Sequence, residues 1–217
     1  MSLNALLGQL MRSGGSALRK GNEVLDTPGK KLLAGGAAAG LLFGGGGRIL
    51  KYGGVAALGA VAYHAWQQYQ AGQKGGAAAP EALPEPPADS NYLPQDEAQR
   101  EALAKLLIAA MVTAAKADGR IDAEEQQAMI AHAEQLDLTP EEQSLLFAEM
   151  GKPFDMEPVV RGAASPEVAA EVYAASLVAV ATPSPAERAY LKTLAGRLGL
   201  PEPVVESLHE TLGAKPA

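Results

Sequence analysis

Residues 165–201 read SPEVAAEVYAASLVAVATPSPAERAYLKTLAGRLGLP, and the punctuation of this stretch decides the fold class. Ser165–Pro166 and Ser184–Pro185 each place a hydroxyl side chain just ahead of a proline, the order of an N-cap and a first helical residue. Glu187 stands three residues after Ser184, so hydroxyl and carboxylate can each accept from the other residue's backbone N–H in a capping box. Val168, Val172, Tyr173 and Leu177 follow the first cap, and Leu191, Leu194 and Leu198 follow the second, both at helical spacing. Gly199 and Pro201 then stop the second helix.

The same signals extend in both directions. Upstream, Thr139–Pro–Glu–Glu142 repeats the cap-and-proline pattern, and Asp122–Ala–Glu–Glu125 is a variant of it. Leu103, Leu106, Leu107, Ala110, Met111 and Ala114 mark one buried helix face, and Met129, Ile130, Ala133 and Leu136 mark another. Downstream, a short helix covers Val204 to Leu212. Hydrophobic residues make up 47% of the 217-residue chain but aromatics only 5%, so the apolar content is mostly Ala, Leu and Val. Ala and Leu favour helix, and the β-branched and aromatic runs that strands prefer are scarce. The expected domain over residues 99–213 is therefore an all-α bundle of six or seven short helices.

This domain partly overlays itself after a shift of 62 residues. Ala117 falls on Ala179, Glu125 on Glu187, Met129 on Leu191, Ala133 on Ala195, Leu136 on Leu198, Leu138 on Leu200 and Leu146 on Leu208. A duplicated helical unit explains the pattern.

Ahead of the domain the composition changes three times. Residues 70–98 are rich in Pro, Ala and Gly with little to bury, which predicts a disordered linker. Residues 32–69 are the membrane candidate: Leu32 to Gly47 is LLAGGAAAGLLFGGGG, sixteen residues without a charge, and Gly53 to Trp66 is again uncharged. Leu32, Leu33, Leu41, Leu42 and Phe43 each favour insertion by about 0.3–0.6 kcal/mol, whereas one Arg or Lys at a helix centre costs about 2.5–3.5 kcal/mol. A single span centred on Arg48 and Lys51 would lose what it gains, so two short spans folded as a hairpin fit better. Sixteen residues reach only about 24 Å against a hydrocarbon core of ~30 Å, which leaves a single span open. Gly36, Gly40 and Gly44 recur every four residues and form a stripe on which a second helix can pack closely. Tyr52, Tyr63, Trp66 and Tyr69 are placed to anchor at the membrane interface. Residues 1–31 carry Leu3, Leu6, Leu7, Leu10 and Met11 on one helical face, followed by Arg12, Arg19 and Lys20, an amphipathic basic segment suited to a membrane surface or to packing on protein.

Charge separates the two ends of the chain. The overall −7 divides into +6 over residues 1–75 and −13 over residues 76–217. The basic end suits anionic lipid, and the acidic end disfavours nucleic acid. Arg12, Arg19, Lys20, Lys30 and Lys31 precede the apolar run, which predicts a cytoplasmic N-terminus, and a hairpin returns the C-terminal domain to the cytoplasm. The chain has no cysteine, so disulfides, thiolate catalysis and Cys-based metal sites are excluded.

One cluster has chemical promise. Asp118, Asp122, Glu124 and Glu125 converge around Gly119 and could hold Ca²⁺ or Mg²⁺ through oxygen. The same residues also suit helix capping: Asp122 is an N-cap, and Glu124 and Glu125 favour the positive end of a helix. The loop departs from an EF-hand, since position twelve is Met129. Glu171 and Glu187 would complete a cation site only if the two repeat units face each other. His64, His132 and His209 are scattered, and Pro153–Phe–Asp155 reads as a tight turn that buries Phe154. No phosphate loop, nucleophile elbow or general base accompanies the carboxylates, so no catalytic residue and no required cofactor is assigned and an enzyme is not expected.

Several stretches together carry a resemblance. They are LNALLGQL at 3–10 with Gly14–Gly–Ser16, the glycine-rich run through Tyr63–His–Ala–Trp66, AAKADGRIDAEE at 114–125, Pro153–Phe–Asp155 and EVYAAS at 171–176. The chain resembles the YebE-like family of bacterial inner-membrane proteins of unknown function (DUF 533), and its C-terminal half is similar to the TerB-like domain of tellurite resistance. The resemblance implies residence in the inner membrane, an all-helical fold with internal pseudo-twofold symmetry, and a metal at the acidic loop. It implies no reaction. The expected function is a membrane-anchored interaction or sensing module, with the bilayer and a protein partner or a second copy as its contacts, acting in an envelope-stress or tellurite-type response. A cation-dependent protein built on the acidic loop and a structural membrane-remodelling protein built on the glycine stripe are the alternatives.

Overall fold

A computed structural model describes residues 54–72, 83–88, 90–117, 140–180 and 183–214, and every regular element among them is a helix. In chain order these are α1 (Gly54–Gln70), α2 (Glu97–Ala115), α3 (Pro140–Gly151), α4 (Glu157–Gly162), α5 (Pro166–Ala179), α6 (Pro185–Arg197) and α7 (Glu202–Leu212).

The punctuation does what its chemistry dictates. The Ser165 hydroxyl accepts from the Val168 N–H at 3.3 Å, and α5 begins at the next residue, Pro166. Ser184 and Glu187 form the reciprocal box, with the Glu187 N–H 3.2 Å from the Ser184 hydroxyl and the Ser184 N–H returned to the Glu187 carboxylate. Asp96 caps α2 by accepting from the Gln99 N–H at 2.9 Å. Beyond α6, Gly199 takes a left-handed φ of 65°, and the Leu200 N–H closes on the Ala195 carbonyl at 3.1 Å. A side chain at that φ would be strained, which is why a glycine stops this helix.

α5 is the axis of the bundle. All its residues from Ala169 to Ala179 are buried. α2 packs along it most extensively, with α1, α7 and α6 on the remaining sides. Leu107, Ile108, Tyr173, Leu191, Leu194 and Leu208 are completely enclosed.

The structure corrects the reading of residues 54–69 as an arm of a membrane hairpin. They form α1, and Val55, Leu58 and Val61 are 0% exposed, packed in the core with α5 and α7. Among the described residues no helix is long and apolar enough to cross a membrane. A run of small and aliphatic residues satisfies a protein core as well as it satisfies lipid, so hydropathy alone does not separate the two. Two of the proposed interfacial aromatics are half-buried against the bundle: Tyr63 meets Tyr92 edge-on at 5.4 Å, and the Trp66 indole donates to the Pro166 carbonyl at 3.2 Å. Tyr69 alone of the described three stays largely exposed.

A second correction concerns the linker. Residues 83–88 and 90–96 form a strap that crosses α1, with Tyr92 only 7% exposed. Gly59 makes the crossing possible, because a Cβ there would overlap the Tyr92 carbonyl oxygen. The bundle therefore starts at α1 and not at residue 99. Phe154 also departs from expectation: it is 48% exposed, leaning on Tyr190 at 6.1 Å rather than buried.

Residues 1–53, with Gly36, Gly40 and Gly44, lie outside the described residues. So do residues 118–139, which hold most of the first copy of the proposed repeat.

Candidate functional site

Asp118, Asp122, Glu124 and Glu125, the acidic cluster singled out in the sequence, lie outside the described residues. The last side chains before it belong to the end of α2, and Lys116 is the notable one. It is 7% exposed, and its ammonium donates to the Glu149 carbonyl at 3.0 Å and the Lys152 carbonyl at 2.7 Å. These carbonyls sit at the C-terminal end of α3, where unsatisfied oxygens favour a cation. Burial lowers the pKa of Lys116; the Glu149 carboxylate opposes that shift and Lys152 adds to it. A hydrogen bond to a charged group contributes about 1.5–3 kcal/mol. Lys116→Met, which keeps the stem and removes both donors, is expected to lower stability by about 2 kcal/mol, read as a lower urea midpoint with an unchanged slope.

Beside Lys116 runs a groove of about 620 Å³. Its floor is the outer face of α2, where Ala98, Ala102, Leu106 and Ala109 follow one another, and Pro153 and Val159 form the opposite wall. Glu101 and Lys105 lie along one rim, with Lys152 and Asp155 on the other side. Small floor residues at helical spacing admit a helix backbone closely, and mixed charges along the rim can fix its register.

The chemically unusual group is elsewhere, on α5. Glu171 is 0% exposed, and neither carboxylate oxygen has a hydrogen-bond partner among the described residues. Burial first, then the charge of Glu167 one turn earlier, raise its pKa well above the ordinary carboxylate range. Glu167 is different. The Ser165 side chain is the main cause of its lowered pKa, and the Asn91 amide reaches its carboxylate at 3.5 Å. Tyr92 lies close enough that Glu167 and Glu171 both add to the effect of burial in raising its pKa. Glu187, the other acid considered as a cation ligand, is consumed by its capping box.

Two further polar contacts tie α7 to the centre. The Tyr173 hydroxyl is 2.9 Å from His209 Nε2 in the core. Ser207 donates to the Gln68 side-chain oxygen at 3.3 Å, which turns the Gln68 amide nitrogen toward His64 Nε2 at 2.8 Å. Burial lowers the pKa of His64. No group of three or more His, Asp or Glu side chains is placed to hold a metal among the described residues. Sequence reasoning named Glu171 only as a possible complement to the acidic loop. The available signal was an acid placed inside the apolar run of residues 168–180.

No curated protein and no solved structure matches the chain. One family model does, described as a protein of unknown function, DUF533, over residues 28–212. That span takes in the glycine-rich run, α1, the strap and the bundle through the end of α7. The chain belongs to the DUF533 family.

Proposed function

We propose that this protein is a membrane-attached helical interaction module of the YebE-like, TerB-like kind, held at the cytoplasmic face of the inner membrane by its basic, glycine-rich residues 1–53. The observation that supports this reading is the position of α1. It follows directly on the glycine-rich run and is built into the core, so an attached N-terminal segment is coupled to the bundle by a helix and not by a slack tether. With residues 54–69 in the bundle, the apolar run from Leu32 to Gly47 is left alone, and its ~24 Å is short for a span. Cations flank it on both sides, Lys30 and Lys31 before, Arg48 and Lys51 after, which suits a segment resting in one interface. Each Lys or Arg near an anionic surface contributes about 1 kcal/mol.

The α2 groove is the partner-facing surface in this reading, and its alanine floor fits an amphipathic helix of a protein partner. The reading is tested by flotation with vesicles of phosphatidylethanolamine and phosphatidylglycerol. The full chain is expected to float, with binding weakened by salt, while residues 53–217 stay at the bottom. A full chain that stays at the bottom at low salt overturns the attachment. For the groove, Ala102→Glu is expected to abolish cross-links formed through a photoreactive residue at position 105 while leaving the Tm unchanged.

A further inference from the structure

The charged side chains that border the α2 groove differ in how far they are already satisfied. On the wall side Lys152 is paired with Glu149, and Asp155 accepts from the Glu157 N–H at 2.9 Å. Lys116 is spent on the Glu149 and Lys152 carbonyls. At the start of α2, Glu97 is paired with Arg100 at 2.7 Å. Glu101 and Lys105 stand apart: both are exposed, and neither side chain has an ion-pair or hydrogen-bond partner among the described residues.

Opposite charges four residues apart on one exposed helix face are complementary to their own image. A two-fold axis that crosses α2 at the level of Leu103 lays α2 of a second copy antiparallel along it. Glu101 then stands opposite Lys105 of the second copy, and Lys105 opposite its Glu101, since every contact in a two-fold interface occurs twice. The same operation sets the two Ala102 side chains beside the axis and brings Ala98 close to the level of Ala109 of the second copy. These alanines are the exposed and half-buried floor of the groove. Side chains of that size let two helix axes approach to about 8 Å, the short end of the range for packed pairs.

We propose that the α2 groove is a homodimer interface: its occupant is α2 of a second copy, packed antiparallel and held in register by reciprocal Glu101–Lys105 pairs. The inference rests on the reading of the groove as the partner-facing surface and is independent of membrane attachment. The two features have separate roles. The alanine floor supplies the close approach, and the charges select the register, because exposed ion pairs add little affinity while like charges brought face to face are strongly unfavourable. Attachment of both copies to one membrane would raise their local concentration without changing the contact.

Sedimentation velocity of the purified full chain in a mild non-ionic detergent tests the pairing. The wild type is expected to dimerise reversibly with concentration. Glu101→Lys places like charges at both contacts, and so does Lys105→Glu, so each variant should have its dimer dissociation constant raised about tenfold. Mixed in equal amounts, the two variants set two cations against two anions and should recover the wild-type dimer. The double exchange Glu101→Lys/Lys105→Glu should dimerise with itself in the same way. Both side chains are exposed, so every variant should keep the wild-type Tm, which separates lost pairing from lost folding. A wild type that stays monomeric at every concentration overturns the homodimer. So does a mixture no more associated than its separate components, or a single variant that dimerises as well as the wild type. Cross-links through position 105 that persist in cells and remain sensitive to Ala102→Glu would then leave the groove to a different protein, and their absence would remove the groove reading as well.

Discussion

The chain shortened to residues 99–217 is expected to lose cooperative folding, whereas residues 53–217 should unfold in a single sharp transition. The difference is α1 with its strap. Val55, Leu58 and Val61 are each completely buried, and Ala57, Ala60, Ala62 and Ala65 fill the spaces between them. Full burial of a Val or Leu contributes about 1.5–3 kcal/mol, so the three large side chains alone supply roughly 5–9 kcal/mol. Whole domains are stable by about 5–15 kcal/mol, so this single helix accounts for a large part of the total. Its removal also uncovers the faces of α5 and α7 that it packs against, and leaves the Pro166 carbonyl without its donor Trp66 and the Ser207 hydroxyl without its acceptor on Gln68. The shorter chain should bind a hydrophobic dye and lose its near-ultraviolet circular dichroism while keeping helical far-ultraviolet signal, the signature of a loosened core. A sharp thermal transition for 99–217 within a few degrees of that for 53–217 would show that α1 is an accessory.

That expectation also marks where the sequence could be read and where it could not. Ser165, Ser184 with Glu187, and Gly199 were legible because a cap is a local device: its donor, acceptor and spacing fit within four residues. α1 was misassigned because its evidence is long-range. A helix carrying Gly, Ala, Val and Leu with no charge has the same composition whether lipid or α5 covers it. Tyr92 shows the same limit. It is one aromatic in a proline-rich stretch, and only the contact with Tyr63 and Gly59 turns that stretch into part of the core. Glu171 was visible as an acid in an apolar run, but its complete burial without a hydrogen-bond partner among the described residues is a property of the assembled bundle and not of that run alone.

Gly59 is where that assembly is least tolerant, and Gly59→Ala is expected to cost about 1–3 kcal/mol, the usual range for overpacking a filled site. Alanine is otherwise the better helix former by close to 1 kcal/mol, so the sign of the effect is itself diagnostic. The added methyl would run into the Tyr92 carbonyl oxygen, which is backbone and cannot rotate aside. The strap must lift, and with it the Tyr92 ring that stands against Tyr63. In a domain of this size the loss corresponds to a fall in Tm of roughly 2–12 °C. Gly162→Ala is the matched comparison. Its methyl would approach Leu106 Cδ1 at 2.5 Å, the free end of a side chain that lines the α2 groove and can change rotamer there. Its cost should be less than half as large. If the strap is the part displaced, Gly59→Ala should also hasten elastase cleavage within residues 83–96, and Gly162→Ala should not. Equal stability of Gly59→Ala and wild type would mean that the strap yields without cost and is not a fixed layer of the core.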